Sequence, residues 1–187
     1  VNGILVQLPL PPEFNTDQII SAISPEKDVD GFHPKNLAKI RKCDLRFVSP
    51  LVLGIVELVK STEEDITGKN IVILCNHGIF GEPFHCFYGK DNKVEIVTLK
   101  SKNYKEKIKQ ADVLIASIGK AQFITAAMVK QDAIIIDVGI NKINDEIFGD
   151  VDLNGVLSKV KFITPVPGGV GPMTIVFLLQ NLLKLAR

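Results

Sequence analysis

Polarity along the chain changes character at Asn70. Beyond it, short uninterrupted apolar runs alternate with charged or turn-forming stretches. Ile71–Cys75, Val94–Leu99, Asp112–Ile118 and Ala133–Val138 read as strands. Ile79–Tyr88 and Tyr104–Gln110 read as helices, and Thr125 reads as the cap of another over Ala126–Lys130. Strands that are apolar throughout, with short helices between them, predict a parallel sheet covered on both faces. The expected class is therefore α/β, a doubly wound parallel sheet of Rossmann-like type. Ahead of Asn70 the pattern is more broken. Gly3–Gln7 predicts a buried strand stopped by Leu8-Pro9-Leu10-Pro11-Pro12. Asn15 with Gln18 three residues on predicts a capped helix with Ile19, Ile20 and Ile23 as its apolar stripe, ended by Pro25. Asp28–Gly31 reads as an extended segment and turn, and residues 32–46 as a basic, irregular stretch. Pro50 opens a second helix whose buried face is expected at Leu53, Val56 and Val59-Lys60. After a β-like run at Lys161–Thr164, a loop rich in Pro and Gly leads to an apolar helix over Ile175–Leu185.

Composition narrows the partners. The 187 residues carry 22 basic and 21 acidic side chains, a net charge of +1, so no electrostatic case exists for nucleic acid or for an anionic membrane. The final helix is too short to span a bilayer and carries Gln180, Asn181, Lys184 and Arg187. No signal or transit segment is visible. The chain opens with Val1 inside a β-like run, from which sequence upstream is inferred. Cys43, Cys75 and Cys86 form no CxxC pair and leave an odd count, so a disulfide framework is not expected and a reducing compartment, the cytoplasm, is the simpler reading.

Three places carry possible chemistry. Ile163-Thr164-Pro165-Val166-Pro167-Gly168-Gly169-Val170-Gly171-Pro172-Met173-Thr174 mixes prolines that fix φ with glycines that leave the backbone bare, ahead of a helix. That suits a polar or planar ligand, and it equally suits a plain turn. Asp28 and Asp30 are two apart in an extended segment, which puts both carboxylates on one side; such acids are also ordinary solvated turn residues. Cys75, His77, His85 and Cys86 are all possible zinc ligands, but a strand end and the following helix aim them in different directions, and no metal is expected.

The wording of four stretches resembles one family. These are Gly3–Pro11 (GILVQLPLP), Pro25–Phe32 (PEKDVDGF), Ile136–Asn141 (IDVGIN) with Gly149–Asp152 (GDVD) after it, and the Pro/Gly loop itself. In order and content they resemble the bifunctional methylenetetrahydrofolate dehydrogenase/methenyltetrahydrofolate cyclohydrolase family, from one end of the chain to the other. The resemblance implies a partial folate-binding lobe over residues 1–50 and an NAD(P)-binding lobe over 51–160. It further implies that residues 161–187 supply a folate-side loop and a helix packing back on the first lobe. It implies NADP-dependent oxidation of 5,10-methylenetetrahydrofolate to the 5,10-methenyl form, hydrolysis of that to 10-formyltetrahydrofolate, and a homodimer. Asp30 would accept the 2-amino group and ring N–H of the pterin in a fork, with Asp28 as support. Val6, Gln7, Leu8 and Pro167, Gly168, Gly169, Val170, Gly171, Pro172, Met173 and Thr174 would line the folate. Cys75, Asn76, His77 and Ile140 would line the cofactor.

The same comparison implies departures. The family's Gly-Arg-Ser-x-Ile-Val-Gly-x-Pro cofactor turn reads Cys75-Asn76-His77-Gly78-Ile79-Phe80-Gly81-Glu82-Pro83 here, without the Arg. Losing a charged phosphate contact of about 1.5–3 kcal/mol lowers affinity roughly ten- to hundredfold. Pro-Cys-Thr-Pro near the cofactor is replaced by Ser49-Pro50-Leu51-Val52. No acid follows the second strand to read a ribose hydroxyl; Lys100 and Lys102 suit a 2′-phosphate, which favours NADP over NAD, or are simply surface lysines. The catalytic lysine that Gln7 would contact belongs to a Tyr-x-x-x-Lys motif, expected upstream of the first strand and absent from these residues. The chain alone is thus expected to be a poor cyclohydrolase. The alternative is a non-catalytic remnant that binds a ligand or partner.

Overall fold

The computed structural model describes residues 1–186. In chain order the elements are helices α1 (Thr16–Ala22), α2 (Pro34–Ile40) and α3 (Pro50–Lys60), then strand β1 (Asn70–Cys75) and helix α4 (Glu82–Tyr88). Strand β2 (Lys93–Val97), helix α5 (Tyr104–Gln110), and strands β3 (Val113–Ser117) and β4 (Ile134–Asp137) follow. The hairpin β5 (Asn141–Ile143) and β6 (Glu146–Phe148), helix α6 (Leu153–Val156), strand β7 (Phe162–Ile163) and helix α7 (Val170–Leu185) complete the order. Two compact units result, one from Ile55–Pro172 and one from Val1–Gly54 with the described residues from Met173 onward. Arg187 lies outside the described residues.

The Ile55–Pro172 unit is built on a five-stranded sheet ordered β2-β1-β3-β4-β7, every neighbouring pair parallel. Parallel strands need crossovers that bring helices onto the faces, which is why these strands are apolar throughout. One face packs Val72, Leu74, Val97, Leu114, Ala116 and Ile135 against Ile108 of α5 and Val156 of α6 in a continuous core. The alternate residues Ile71, Ile73, Val113, Ile115, Ile134 and Ile136 are buried on the other face. There Gly81, ahead of α4, comes so close to Ile96 of β2 that a Cβ would sit 2.6 Å from its Cγ1. The doubly wound α/β reading therefore holds.

In the other unit, Asn15 caps α1 as expected, its Oδ1 accepting from Gln18 N at 3.1 Å. Ile20 and Ile23 are buried, with Ile19 only half-buried. Asn181 of α7 donates to the carbonyls of Val29 (3.1 Å) and Val48 (3.0 Å), tying three segments far apart in sequence.

Several expectations are corrected. Gly3–Gln7 is not a buried strand: it pairs only through a parallel bridge between Ile4 and Asp28, and Leu5 and Gln7 are exposed. Residues 32–46 are not irregular, because Pro34 occupies the first turn of α2 and His33 Nδ1 caps it by accepting from Lys35 N at 3.0 Å. The buried face of α3 is Val52, Ile55 and Val59, with Lys60 exposed. The helix expected over Ile79–Tyr88 is a 3-10 turn at Gly78–Phe80 followed by α4, the break falling at Gly81 where the chain meets Ile96. Thr125 makes no side-chain cap, and Ala126–Met128 is a single 3-10 turn. The last helix begins at Val170, five residues earlier than its apolar run indicates, and takes Gly171–Thr174 into its first turns.

Candidate active site

In the Val1–Gly54 unit the two aspartates that extended geometry would put side by side have opposite environments. Asp28 is buried and fully engaged. Its Oδ1 accepts from Gly31 N (3.0 Å), and its Oδ2 accepts from His33 N (2.8 Å) and Asn36 Nδ2 (3.0 Å). The turn it closes requires Gly31, which has φ +75° and where a Cβ would lie 2.5 Å from Phe47 O. Asp30, one residue before that glycine, is half-buried, and no donor among the described residues bonds its carboxylate. Burial, and after it the nearby Asp28 carboxylate, push its pKa above the usual carboxylate range. Such a group gains most from a ligand that brings its own donors. Gln7 is exposed, with Nε2 donating to Leu8 O at 3.1 Å, and Val6 and Leu8 are half-buried on either side.

In the Ile55–Pro172 unit the strand order reverses direction between β1 and β3: the chain goes from β1 outward to β2 and returns on the other side. In open α/β sheets ligands bind at the carboxyl ends of the strands at such a point. The two flanking loops are Cys75-Asn76-His77-Gly78 after β1 and Ile118-Gly119-Lys120 after β3. Asn76 joins them, its Nδ2 donating to Ile118 O at 2.9 Å. Cys75 is buried, burial pushes its thiol pKa up, and Sγ donates to His77 O at 3.3 Å. His77 is exposed and extended. Added Cβ atoms at Gly78 and Gly119 would meet nothing within 4 Å, so bare backbone lines both sides of the opening. Ile140 is 70% exposed just beyond β4.

The Pro/Gly loop is rigidly seated. Thr164 Oγ1 accepts from Asp137 N at 2.8 Å, and Gly169 N donates to Pro165 O at 2.9 Å. Val166-Pro167 is cis and Gly168 has φ +109°. Pro167, Gly168, Gly171 and Pro172 are exposed, Gly169 and Val170 buried, and Met173 and Thr174 half-buried in α7.

Family models match both parts of the chain: "Tetrahydrofolate dehydrogenase/cyclohydrolase, catalytic domain" over residues 1–30 and the NAD(P)-binding domain of the same description over residues 50–187. The chain belongs to the tetrahydrofolate dehydrogenase/cyclohydrolase family. Among relatives in this family, the bifunctional protein FolD of Rickettsia bellii is 48% identical over 184 residues, 97% of this chain and 65% of that protein. The chain thus spans slightly under two thirds of that relative's length. The Campylobacter jejuni FolD methylenetetrahydrofolate dehydrogenase/cyclohydrolase structure superposes with a TM-score of 0.90 at 41% identity, covering 99% of this chain and 67% of that one. The Trypanosoma brucei methylenetetrahydrofolate dehydrogenase-cyclohydrolase, solved with NADP and an inhibitor, gives a TM-score of 0.90 at 30% identity, covering 98% and 66%.

Asp137, Asp150 and Asn141, whose carboxylates and amide bond one another or the backbone near the strand ends, lie in the Ile136–Asn141 and Gly149–Asp152 stretches but were not among the residues singled out from the sequence. A signal was present: Asp137 ends an otherwise apolar strand, and an acid there needs donors. No helix of the described residues is long and apolar enough to cross a membrane. Among the described residues Cys43 and Cys86 are each disulfide-bonded and Cys75 is free, so the expectation drawn from the cysteine count is corrected and the reducing compartment loses that support.

Proposed function

We propose that the chain acts, as a homodimer, in NADP-dependent oxidation of 5,10-methylenetetrahydrofolate to 5,10-methenyltetrahydrofolate and in hydrolysis of that product to 10-formyltetrahydrofolate. The observation that carries this reading is Asp30, a half-buried carboxylate with no donor among the described residues, on a turn that Asp28 locks with three hydrogen bonds. A pterin edge offers a 2-amino group beside a ring N–H, which one carboxylate accepts as a fork. Gln7, Val6 and Leu8 would flank the ring. The stretch from Pro167 to Thr174 supplies a backbone surface whose shape is set before any ligand arrives.

The residues at the β1–β3 opening fit a dinucleotide. Gly78 and Gly119 leave the backbone open on both sides, and Lys100 and Lys102 follow β2 where a 2′-phosphate would fall. The Trypanosoma brucei relative, solved with NADP, supports the same cofactor. Asn76, whose amide is engaged with Ile118 O, offers no charge to a phosphate. Binding would therefore rest on backbone and shape more than on ion pairing. When bound, NADP supplies the hydride acceptor. The protein's part would be to hold each flat ring in a fixed orientation.

Calorimetric titration with tetrahydrofolate and, separately, with NADP tests this. Asp30→Ala is expected to weaken tetrahydrofolate binding about ten- to hundredfold while leaving NADP affinity unchanged. Equal folate affinity in the variant, or no binding of either ligand to the unaltered chain, would overturn the reading.

A further inference from the structure

We propose that Asp150 is a positioning residue for the cofactor edge, fixing the loop after β3 in the one shape that Asn76 then latches to the loop after β1. This rests on the dinucleotide reading above and extends it to a residue that touches no ligand.

Asp150 is fully buried. Four donors converge on its carboxylate. Oδ2 accepts from Ile118 N at 2.6 Å and Gly119 N at 3.2 Å; Oδ1 accepts from Lys120 N at 2.8 Å and Asn141 Nδ2 at 3.0 Å. Three successive backbone N–H groups aimed at one point form an anion-binding concavity. At the carboxyl edge of a parallel sheet such a concavity is a natural phosphate cradle, but here the chain fills it with its own carboxylate. The loop after β3 consequently has its amides turned inward and the Ile118 carbonyl left to accept from Asn76.

Asp150 is itself anchored. Its backbone N donates to Asp137 Oδ1 at 2.9 Å, Val151 N donates to Asp137 Oδ2 at 2.9 Å, and Gly139 N donates to Asp137 Oδ1 at 3.0 Å. Asp137 N in turn donates to Thr164 Oγ1. One connected network therefore joins the ends of β1, β3, β4 and β7, and Asp150 is the member through which β3 enters it. Gly149 and Gly139 are glycines because the network leaves no room: a Cβ at Gly139 would lie 2.6 Å from Asp150 N, and one at Gly149 would overlap the Asp137 carboxylate. An acceptor-only group is required at Asp150. Asparagine has the same shape but would turn an NH2 toward donors.

The full chain with Asp150→Asn, and separately with Asn141→Ala and Asn76→Ala, tests this by two readouts. Amide hydrogen exchange at Ile118–Lys120 is expected to quicken at least about tenfold in Asp150→Asn, while the amides of β1 keep their protection. Calorimetry is expected to show NADP affinity about tenfold weaker in Asp150→Asn and weaker in Asn76→Ala, with tetrahydrofolate affinity unchanged. General destabilisation would not separate the two ligands. Should Asp150→Asn fail to fold, Asn141→Ala and Asn76→Ala decide: unaltered NADP affinity in both overturns the proposal. Unchanged exchange at Ile118–Lys120 in a folded Asp150→Asn chain overturns it as well. If the unaltered chain binds no NADP, the functional reading fails, and the exchange measurement still decides whether Asp150 holds the loop.

Discussion

Asp28 and Asp30 are the same residue two positions apart, and the fold assigns them opposite work. Asp28 spends its lone pairs on Gly31, His33 and Asn36, and Asp30 keeps its own free at a half-buried position. The consequence is a pH dependence with two signs. Because burial raises the Asp30 pKa, its contribution to stability is fully present below the unfolded value of about 3.9 and is lost as pH rises through the raised folded value. The proposed pterin contact needs the anion, so affinity is expected to be lost in the other direction, as pH falls through that same raised value. Titrations between about pH 4 and about pH 8 are expected to show tetrahydrofolate affinity failing at a pH above the ordinary aspartate range. Asp30→Asn should bind weakly with no such step, and should melt higher than the unaltered chain at neutral pH. A lower melting temperature would refute the desolvation argument. Neither carboxylate's environment was legible in Asp-Val-Asp-Gly; the i, i+2 rule gives direction in an extended chain, and the bond network decides which acid is spent.

Elements were most legible where one signal was strong and local. Helix α5 falls at Tyr104–Gln110 as its pattern indicates, and Asn15 caps α1. They were least legible where a neighbour sets the boundary. The break before α4 falls at Gly81, where an added Cβ would lie 2.6 Å from Cγ1 of Ile96 on a later strand. Helix α7 starts early because Gly169 N closes on Pro165 O and turns the chain into the helix before the apolar run begins. Gly169 is the tightest point of that turn: a Cβ would lie 2.6 Å from Pro165 O and 2.8 Å from Thr164 Cβ. Gly169→Ala is therefore expected to cost about 1–3 kcal/mol, read from the denaturation midpoint at unchanged slope. A neutral result would mean the Pro165–Gly169 turn yields, and the claim that its shape is preset would fall.

At the scale of the whole molecule, the chemistry divides by what the 187 residues contain. They hold no Tyr-x-x-x-Lys. A general acid/base typically contributes about 10²- to 10⁴-fold in rate, so the proposed hydrolysis would draw its base from another group. With the chain added, methenyltetrahydrofolate is expected to lose its absorbance faster than in buffer alone; a rate equal to that of buffer would sink the hydrolytic half of the proposed function. The sequence by itself determined the α/β class, the strands of the parallel sheet and the family. Each rests on local patterns: unbroken apolar runs that only a sheet covered on both faces can bury, and motif wording that survives without its context. Only the tertiary structure decided that the Asp150 and Asp137 carboxylates gather the backbone after β3 and β4, that Asn76 spans the β1–β3 opening, and that Asn181 reaches Val29 and Val48. Those contacts join residues from 13 to 152 positions apart, and no window along the chain records which donor a buried oxygen will meet.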